Sequence, residues 1–284
     1  MTERVGFSLG RVGAIALNTF TESVRQKVFN ILLLVALVFI TTASFFSQFT
    51  FSEQLKFVKD FCLGTISVFG VVIAIVGTSQ LLPSELENRT LYTILAKPVR
   101  RFEFLLGKFL GSVLLIFLSL LMMSVMFVAA LLFKENRLIA EAYRNPVAYE
   151  LPPADVAKQI RAEARDPDIV KGELLIFVKL SLLAAVTLLV STFSTSMIFN
   201  VAVTFMVFFI GHLRAVATEM WAQHRVLSRL VTVIPDLGAF NVTDDIRLGN
   251  AIPWDHVAGV ALYGVAYTVV LVAVAHFVFA DREL

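Results

Sequence analysis

Charge is scarce in this chain. Only 16% of its 284 residues are Asp, Glu, Lys or Arg, and the 24 basic residues nearly balance the 22 acidic ones, for a net +2. Soluble domains carry roughly 25% charged residues. A balance this even, with the basic residues spread over loops, gives no electrostatic footprint for nucleic acid. Cysteine occurs once, at Cys62. That excludes an internal disulfide and a cysteine-based zinc site. Cys62 sits in an apolar run and reads as a small buried hydrophobe. Catalytic motifs are absent too. There is no GxxxxGK[ST] phosphate loop, no GxSxG and no HExxH. The histidines His212, His224, His256 and His276 lack metal-ligand spacing. His212 and His224 with Met206 and Met220 suit copper chemically, but Met in such runs is usually packing. A cleavable secretory leader is not expected, because the first strongly apolar run begins only near Phe29 and no small-residue cleavage site follows it.

Apolar residues fill the gap. They make up 58% of the chain, and the mean hydropathy is +0.81. No soluble core of this size uses so much apolar surface, whereas a bilayer does. A membrane-crossing helix needs about 20 mostly apolar residues. Six runs qualify, near 29–47, 61–83, 109–133, 174–193, 196–213 and 257–280. The fourth and fifth are nearly contiguous and predict a tight helical hairpin. The expected fold class is therefore an all-α membrane protein with six transmembrane helices in one domain over 1–284. An even count puts both termini on one side. Basic residues in short segments set the orientation. Arg4, Arg11, Arg25 and Lys27 precede the first span, and Arg89, Lys97, Arg100, Arg101 and Lys108 lie between the second and third. In the loops 134–173 and 214–256 basic residues are roughly matched by acids. Both termini and the 84–108 loop are thus expected in the cytoplasm.

The spans themselves hold few ionisable groups. Carriers coupled to protons or ions usually need such groups within the bilayer. Lys179 is the exception, and its position about one and a half turns inside span four predicts snorkelling outward. Asn200, Thr195 and Ser196 read as interhelical hydrogen-bonders. Nothing in the spans supplies energy, so a pump built on this chain would draw it from a partner.

Outside the spans, residues 8–28 read as an amphipathic N-terminal interfacial helix. Leu9, Ala16, Phe20 and Val24 fall on one face, and Arg11, Asn18, Glu22 and Arg25 on another. An ordinary solvated helix is the alternative. In 134–173, Pro152 and Pro153 followed by Asp155 as a cap predict a small external helix, with Val156, Ile160 and Ala164 on one face. It can equally be a plain connector. The 214–256 segment is too polar for a span and too apolar for a free loop. Short outer-leaflet or re-entrant helices are expected there, with Trp221 and Trp254 at headgroup level.

The densest charge is the stretch ELENRTLYTILAKPVRRFEFLLGK, residues 85–108. Thr90 or Asn88 can cap a short helix. Leu91, Ile94 and Leu95 then share one side, Lys97 sits in the last turn, and Pro98 ends it. Arg100 and Arg101 follow, and Gly107 and Lys108 mark re-entry. An apolar ridge with charged flanks suits a groove on a soluble protein. A helix lying against headgroups is the other reading.

This stretch resembles the signature of type-2 ABC transporter permeases, in particular the branch serving multicopper-enzyme maturation. Glu85, Glu87, Arg89 and Thr90 match its opening. Leu95, Lys97, Pro98, Val99 and Arg101 match the middle, and Gly107 and Lys108 the end. Arg89 stands where that family usually has Gly. IPDLGAFNVTDDI (234–246) and FVFADREL (277–284) are similar to the family's segment before the last span and its short C-terminus.

The resemblance implies an exporter's transmembrane subunit in a bacterial or archaeal cytoplasmic membrane, surrounded by membrane lipids. It pairs with a second permease copy, expected as a homodimer, and docks on a separate cytoplasmic ABC ATPase. The chain itself is then no enzyme and holds no cofactor; ATP and Mg belong to the partner. Glu85, Glu87, Arg89, Thr90, Leu91, Ile94, Leu95, Lys97, Pro98, Arg100 and Arg101 form the implied coupling loop. Two rivals remain. A mechanotransmission subunit would drive an extracytoplasmic partner through the long loops without moving substrate. An intramembrane lipid enzyme would need a carboxylate or histidine cluster that is not visible.

Overall fold

The computed structural model describes residues 7–49, 53–83, 100–146, 151–214, 216, 218 and 233–280. Among these there is no strand; the regular elements are α-helices and short 3-10 turns. A bilayer explains this, because backbone amides that meet no water must pair within their own helix. The helices are α1 (Leu9–Val24), α2 (Lys27–Phe46), α3 (Gln54–Ser79), α4 (Arg101–Arg144), α5 (Pro153–Ala164), α6 (Asp168–Phe193), α7 (Met197–His212), α8 (Thr243–Leu248) and α9 (Trp254–Ala280).

Five helices among the described residues are long and apolar enough to cross a membrane, and α7 is a shorter apolar sixth. They make the chain a multi-pass, all-α membrane protein. The sixteen residues of α7 rise about 24 Å, less than the roughly 30 Å of a hydrocarbon core. The turn between α6 and α7 is as tight as expected: Phe193 ends one helix and Met197 begins the next. Ser194 Oγ accepts from Ser196 N, and Ser196 Oγ from Phe199 N. Ser196 is thus a cap rather than a bridge between helices, and Thr195 is exposed.

The core centres on α6. Leu175, Leu180, Leu182, Leu183, Ala184, Ala185 and Leu188 are all fully buried. Lipid is as apolar as leucine, so close packing and hydrogen bonds hold such helices together. Glycines provide the close packing. A Cβ on Gly70 of α3 would lie 2.6 Å from Leu180, and one on Gly264 of α9 would lie 2.5 Å from Val178. Two side chains provide the bonds. Asn200 of α7 donates to Ser79 O at 3.3 Å, and Lys179 of α6 donates to Ser67 Oγ of α3 at 2.7 Å. Lys179 therefore does not snorkel. It is 3% exposed, because the neighbouring hydroxyl on α3 gives its ammonium a partner inside the bundle.

The end opposite the termini is built up beyond the spans. The 44 residues of α4 run about 66 Å, twice a hydrocarbon core. The external helix expected after Pro152 is α5. Asp155 is not its cap; Pro152 is, with Pro153 at the first position and Asp155 in the first turn, where a carboxylate favours the helix dipole. Glu135 at the buried side of α4 accepts from Arg165 at 3.0 Å, fastening α5 to the protrusion. Lys59 of α3 pairs with Asp166 at 3.2 Å.

The short helices expected before the last span are α8 and the Gly238–Phe240 turn. They fold onto the far ends of α3 and α6, burying Leu237, Phe240, Val242 and Ile246. Gly172 of α6 leaves room for Ile246, whose Cδ1 would stand 2.5 Å from an added Cβ. Gly249 ends α8 with φ +76°, a backbone that glycine adopts freely. Asp168 accepts from Ile252 N at 2.9 Å, while Lys171 donates to Ile252 O at 2.7 Å and lies 5.0 Å from the Trp254 ring. The Lys171 ammonium beside Asp168 holds that carboxyl below the ordinary range against the opposing effect of burial. Trp254 is 62% exposed at the head of α9, as an interfacial indole should be. Trp221 lies outside the described residues.

Candidate functional site

Glu85, Glu87, Arg89, Thr90, Leu91, Ile94, Leu95, Lys97 and Pro98 lie outside the described residues. The structure does describe the mount that holds this segment. It leaves from the end of α3 at Leu81–Pro83 and returns at Arg100, the residue before α4.

The start of α4 is an anchored end. Glu103, in its first turn, is 0% exposed and gathers three donors: Ser8 N at 2.7 Å, Arg11 Nη2 at 2.9 Å and Arg100 N at 3.2 Å. Burial opposes its charge, yet these donors outweigh it and hold the carboxyl below the usual 4.5. One carboxylate thus caps α4 at its own N-terminus and ties it to the start of α1. Arg101 reaches the other way. Its guanidinium donates to Ala280 O at 2.6 Å and Phe279 O at 3.3 Å, the last carbonyls of α9. A cation there complements the helix dipole and satisfies carbonyls that have no intrahelical partner. Phe104 stacks on Phe279 with centroids 6.1 Å apart beside this contact.

The next two turns of α4 are fitted to α1. Gly107 and Gly111 form a small-xxx-small pair. A Cβ on Gly107 would lie 2.7 Å from Ile15 Cβ and 3.1 Å from Val12 O. One on Gly111 would lie 2.6 Å from Thr19 Cβ and 2.8 Å from Ala16 O. Lys108 between them is buried, 4.0 Å from Glu22 and 5.8 Å from the Phe104 ring centre.

The face that α1 buries is accordingly Val12, Ala16, Thr19 and Ser23. Leu9, assigned to the apolar face by periodicity, is 75% exposed, and Leu17 is 60% exposed. Close approach places Ala16 and Thr19 against Gly111, with Val12 and Ile15 against Gly107, and leaves Leu9 and Leu17 on the outward side. The N-terminal helix is amphipathic as expected, but it is a packed part of the bundle rather than a separate float.

Of the eleven candidate coupling residues, Arg100 and Arg101 are therefore placed, both at the root of α4. Sequence reasoning missed Glu103, Arg11 and Gly111. A signal existed for two of them. Glu103 stands three residues after Arg100, the position of the acid in a capping box, and GKFLG at 107–111 is a visible GxxxG.

The geometry is that of a hinge post. Whatever pushes on the 84–99 segment acts on a helix end bonded to α1 on one side and α9 on the other.

No curated protein matches this chain. A family model described as ABC-2 family transporter protein matches residues 13–284, all six apolar helices included. That family implies an ABC ATPase as the source of energy, and its membrane subunits generally carry no catalytic site. This chain belongs to the ABC-2 family of transporter proteins and is a transmembrane subunit of an ABC transporter.

Proposed function

We propose that this subunit is an exporter permease whose 84–108 loop is the coupling helix for a cytoplasmic ATPase. The carrying observation is the rooting of α4: Glu103 joins its first turn to α1, and Arg101 joins it to the end of α9. A docking loop transmits motion only if its exit is stiffly bonded to the spans, and this exit meets that need. On this reading Leu91, Ile94 and Leu95 enter a groove on the ATPase. Glu85, Glu87, Arg89, Thr90, Lys97, Pro98 and Arg100 shape and orient the ridge, and Arg101 passes its motion to α9.

The termini and the loop then face the cytoplasm of a bacterial or archaeal cell, and α5 with α8 face outward. Two copies, most simply identical, pair so that two loops meet the two ATPase subunits. Closure of the ATPases around ATP and Mg drives the loops together, and α1, α4 and α9 move with them.

One observation favours a second use of the same machinery. α4 runs about 66 Å, twice a hydrocarbon core, and α5 is bonded to its far part through Arg165 and Glu135. A subunit that transmits force to an extracytoplasmic partner would need such a lever.

The test is co-purification of the detergent-solubilised chain with P-loop ATPases from its genomic neighbours, wild type against Leu91→Asp/Leu95→Asp. ATPase retained by wild type and lost by the variant supports docking through this loop. Equal retention removes the loop from the interface.

A further inference from the structure

Helix α7 is gripped near its two ends. The residues it buries are Asn200, Thr204 and Gly211, all on one side. Ile198, Met206, Phe209 and Leu213 lie on the other side, and each is more than half exposed. Its closest fixed contacts are therefore polar or small.

The first grip is at the end of α3 from which the 84–99 segment leaves. Ser79 is the last residue of α3, so its carbonyl has no intrahelical amide to accept from. Asn200 Nδ2 supplies the donor at 3.3 Å. Asn200 is 0% exposed, in a helix otherwise rich in Phe, Val and Met. Its Oδ1 finds no donor among the described residues, and the buried Thr78 hydroxyl, one residue before Ser79, finds no partner either. Packing alone gives no reason to bury a half-satisfied amide here, where an apolar side chain would carry no such penalty. A joint that holds the end of α3 does.

The second grip is at the far end. Leu237 N donates to Gly211 O at 3.0 Å. A Cβ on Gly211 would stand 2.7 Å from Pro235 O and 3.0 Å from Leu237 Cγ, so the two main chains meet directly. The segment they meet in is itself fastened to the last span. Tyr263 OH of α9 accepts from Asp236 N at 2.8 Å, and Phe240 lies against Gly264. Asn200 and Gly211 stand roughly 17 Å apart along one unbroken helix.

We propose that α7 is a push rod. It carries displacement of the α3 end, imposed through the 84–108 loop, to the Pro235–Phe240 segment at the opposite end of the bundle. Asn200 is the positioning residue at its driven end, and Gly211 is the bearing at the other. This rests on the loop being the ATPase-coupled element. Arg101 links the exit of that loop to α9, and Asn200 links its entry to α7, so each root of the loop drives a span.

Hydrogen exchange of the complex with its ATPase in nanodiscs tests the rod, comparing ATP plus vanadate with no nucleotide. Three regions are read: Leu9–Val24 of α1, Met197–Thr204 of α7, and Leu237–Phe240. In wild type, nucleotide should shift exchange in all three. Asn200→Leu keeps the branching of the side chain but removes the donor and the orphaned acceptor. It should keep the shift in α1 and lose it in Leu237–Phe240. Gly211→Ala disrupts the other grip. It should keep the shifts in α1 and Met197–Thr204 and lose the one in Leu237–Phe240. A variant that merely loosened the fold would exchange faster with and without nucleotide and keep the difference between the two. That result in either variant overturns the rod. A wild-type complex that shifts in α1 but not in Leu237–Phe240 also overturns it, and leaves docking through the loop intact. No shift in α1 of a complex that hydrolyses ATP would contradict the coupling reading, and the rod with it.

Discussion

A single methyl group at position 111 should prise α1 from the bundle. In Gly111→Ala the new Cβ falls 2.6 Å from Thr19 Cβ and 2.8 Å from Ala16 O. Ordinary contact begins at 3.4 Å, so α1 must retreat by about 0.8 Å. Neither neighbour can yield alone, since one is a β-branched Cβ and the other a backbone oxygen. Overpacking of this kind costs about 1–3 kcal/mol. If it falls on α1 docking, opening of that helix should rise roughly 5- to 150-fold. Hydrogen exchange of the chain in nanodiscs reads this directly. Amides of Leu9–Val24 should exchange faster by such a factor, with those of the α6 core unchanged. Gly13→Ala is the control on the same helix. Its Cβ meets nothing within 4 Å, so it should leave docking intact and stabilise the helix by about 0.5–1 kcal/mol. Equal protection of α1 in Gly111→Ala and Gly13→Ala would refute the close-approach argument.

Three further outcomes follow from the same geometry. Arg101→Gln removes the guanidinium from the Phe279 and Ala280 carbonyls; the last turn of α9 should fray by about 1–2 kcal/mol, seen as faster exchange at His276–Ala280. Glu103 has a depressed carboxyl pKa, so its stabilisation is present above the ordinary value of 4.5 and is lost as pH falls through the lower folded value. Rate-corrected α1 protection should therefore be flat from neutral pH down to about 5 and drop below it, and Glu103→Gln should erase that step. At the centre of the bundle, Ser67→Ala leaves Lys179 without its hydroxyl partner and should lower stability by about 1–3 kcal/mol, whereas Lys179→Met, which removes the buried ammonium as well, should restore or exceed wild-type melting.

The spans were legible because a bilayer imposes one strong rule, about 20 apolar residues per crossing, and five of the six runs obey it, α7 being shorter. The hairpin at Phe193–Met197 was legible for the same reason: two apolar runs separated only by Ser194–Ser196, with no charged residue between them, have nowhere else to turn. Helix α5 could be read from Pro152 and Pro153, though the prolines hid which residue caps it. Other features were not local. The partner of Lys179 is Ser67, 112 residues away, and no periodicity on α6 points to it. On α1 only Leu9 departs from the expected apolar face: Ala16 is buried and Phe20 and Val24 pack on the core, while Leu9 is 75% exposed. Leu9 and Leu17 are exposed, while Val12 and Ile15 meet Gly107 and Ala16 and Thr19 meet Gly111. Small residues at matching spacing were the better guide. Of the candidate site, the motif at 85–108 was visible in full, and the anchor at its exit was not. Glu103 binds Ser8 N and Arg11 across more than 90 residues, a contact that only the packing of α1 on α4 creates.

Contact between this loop and the ATPase can be measured by site-specific thiol crosslinking. Cys62 is the chain's single cysteine and is buried, so Leu95→Cys in a Cys62→Ala background presents one reactive thiol. The complex is assembled with its ATPase in nanodiscs, shown to hydrolyse ATP and treated with a short bifunctional thiol reagent. Docking through the loop predicts a permease–ATPase adduct from Leu95→Cys and none from Lys158→Cys on α5. An active complex in which Leu95→Cys is fully labelled yet yields no adduct, or in which Lys158→Cys yields it instead, would contradict docking through this loop.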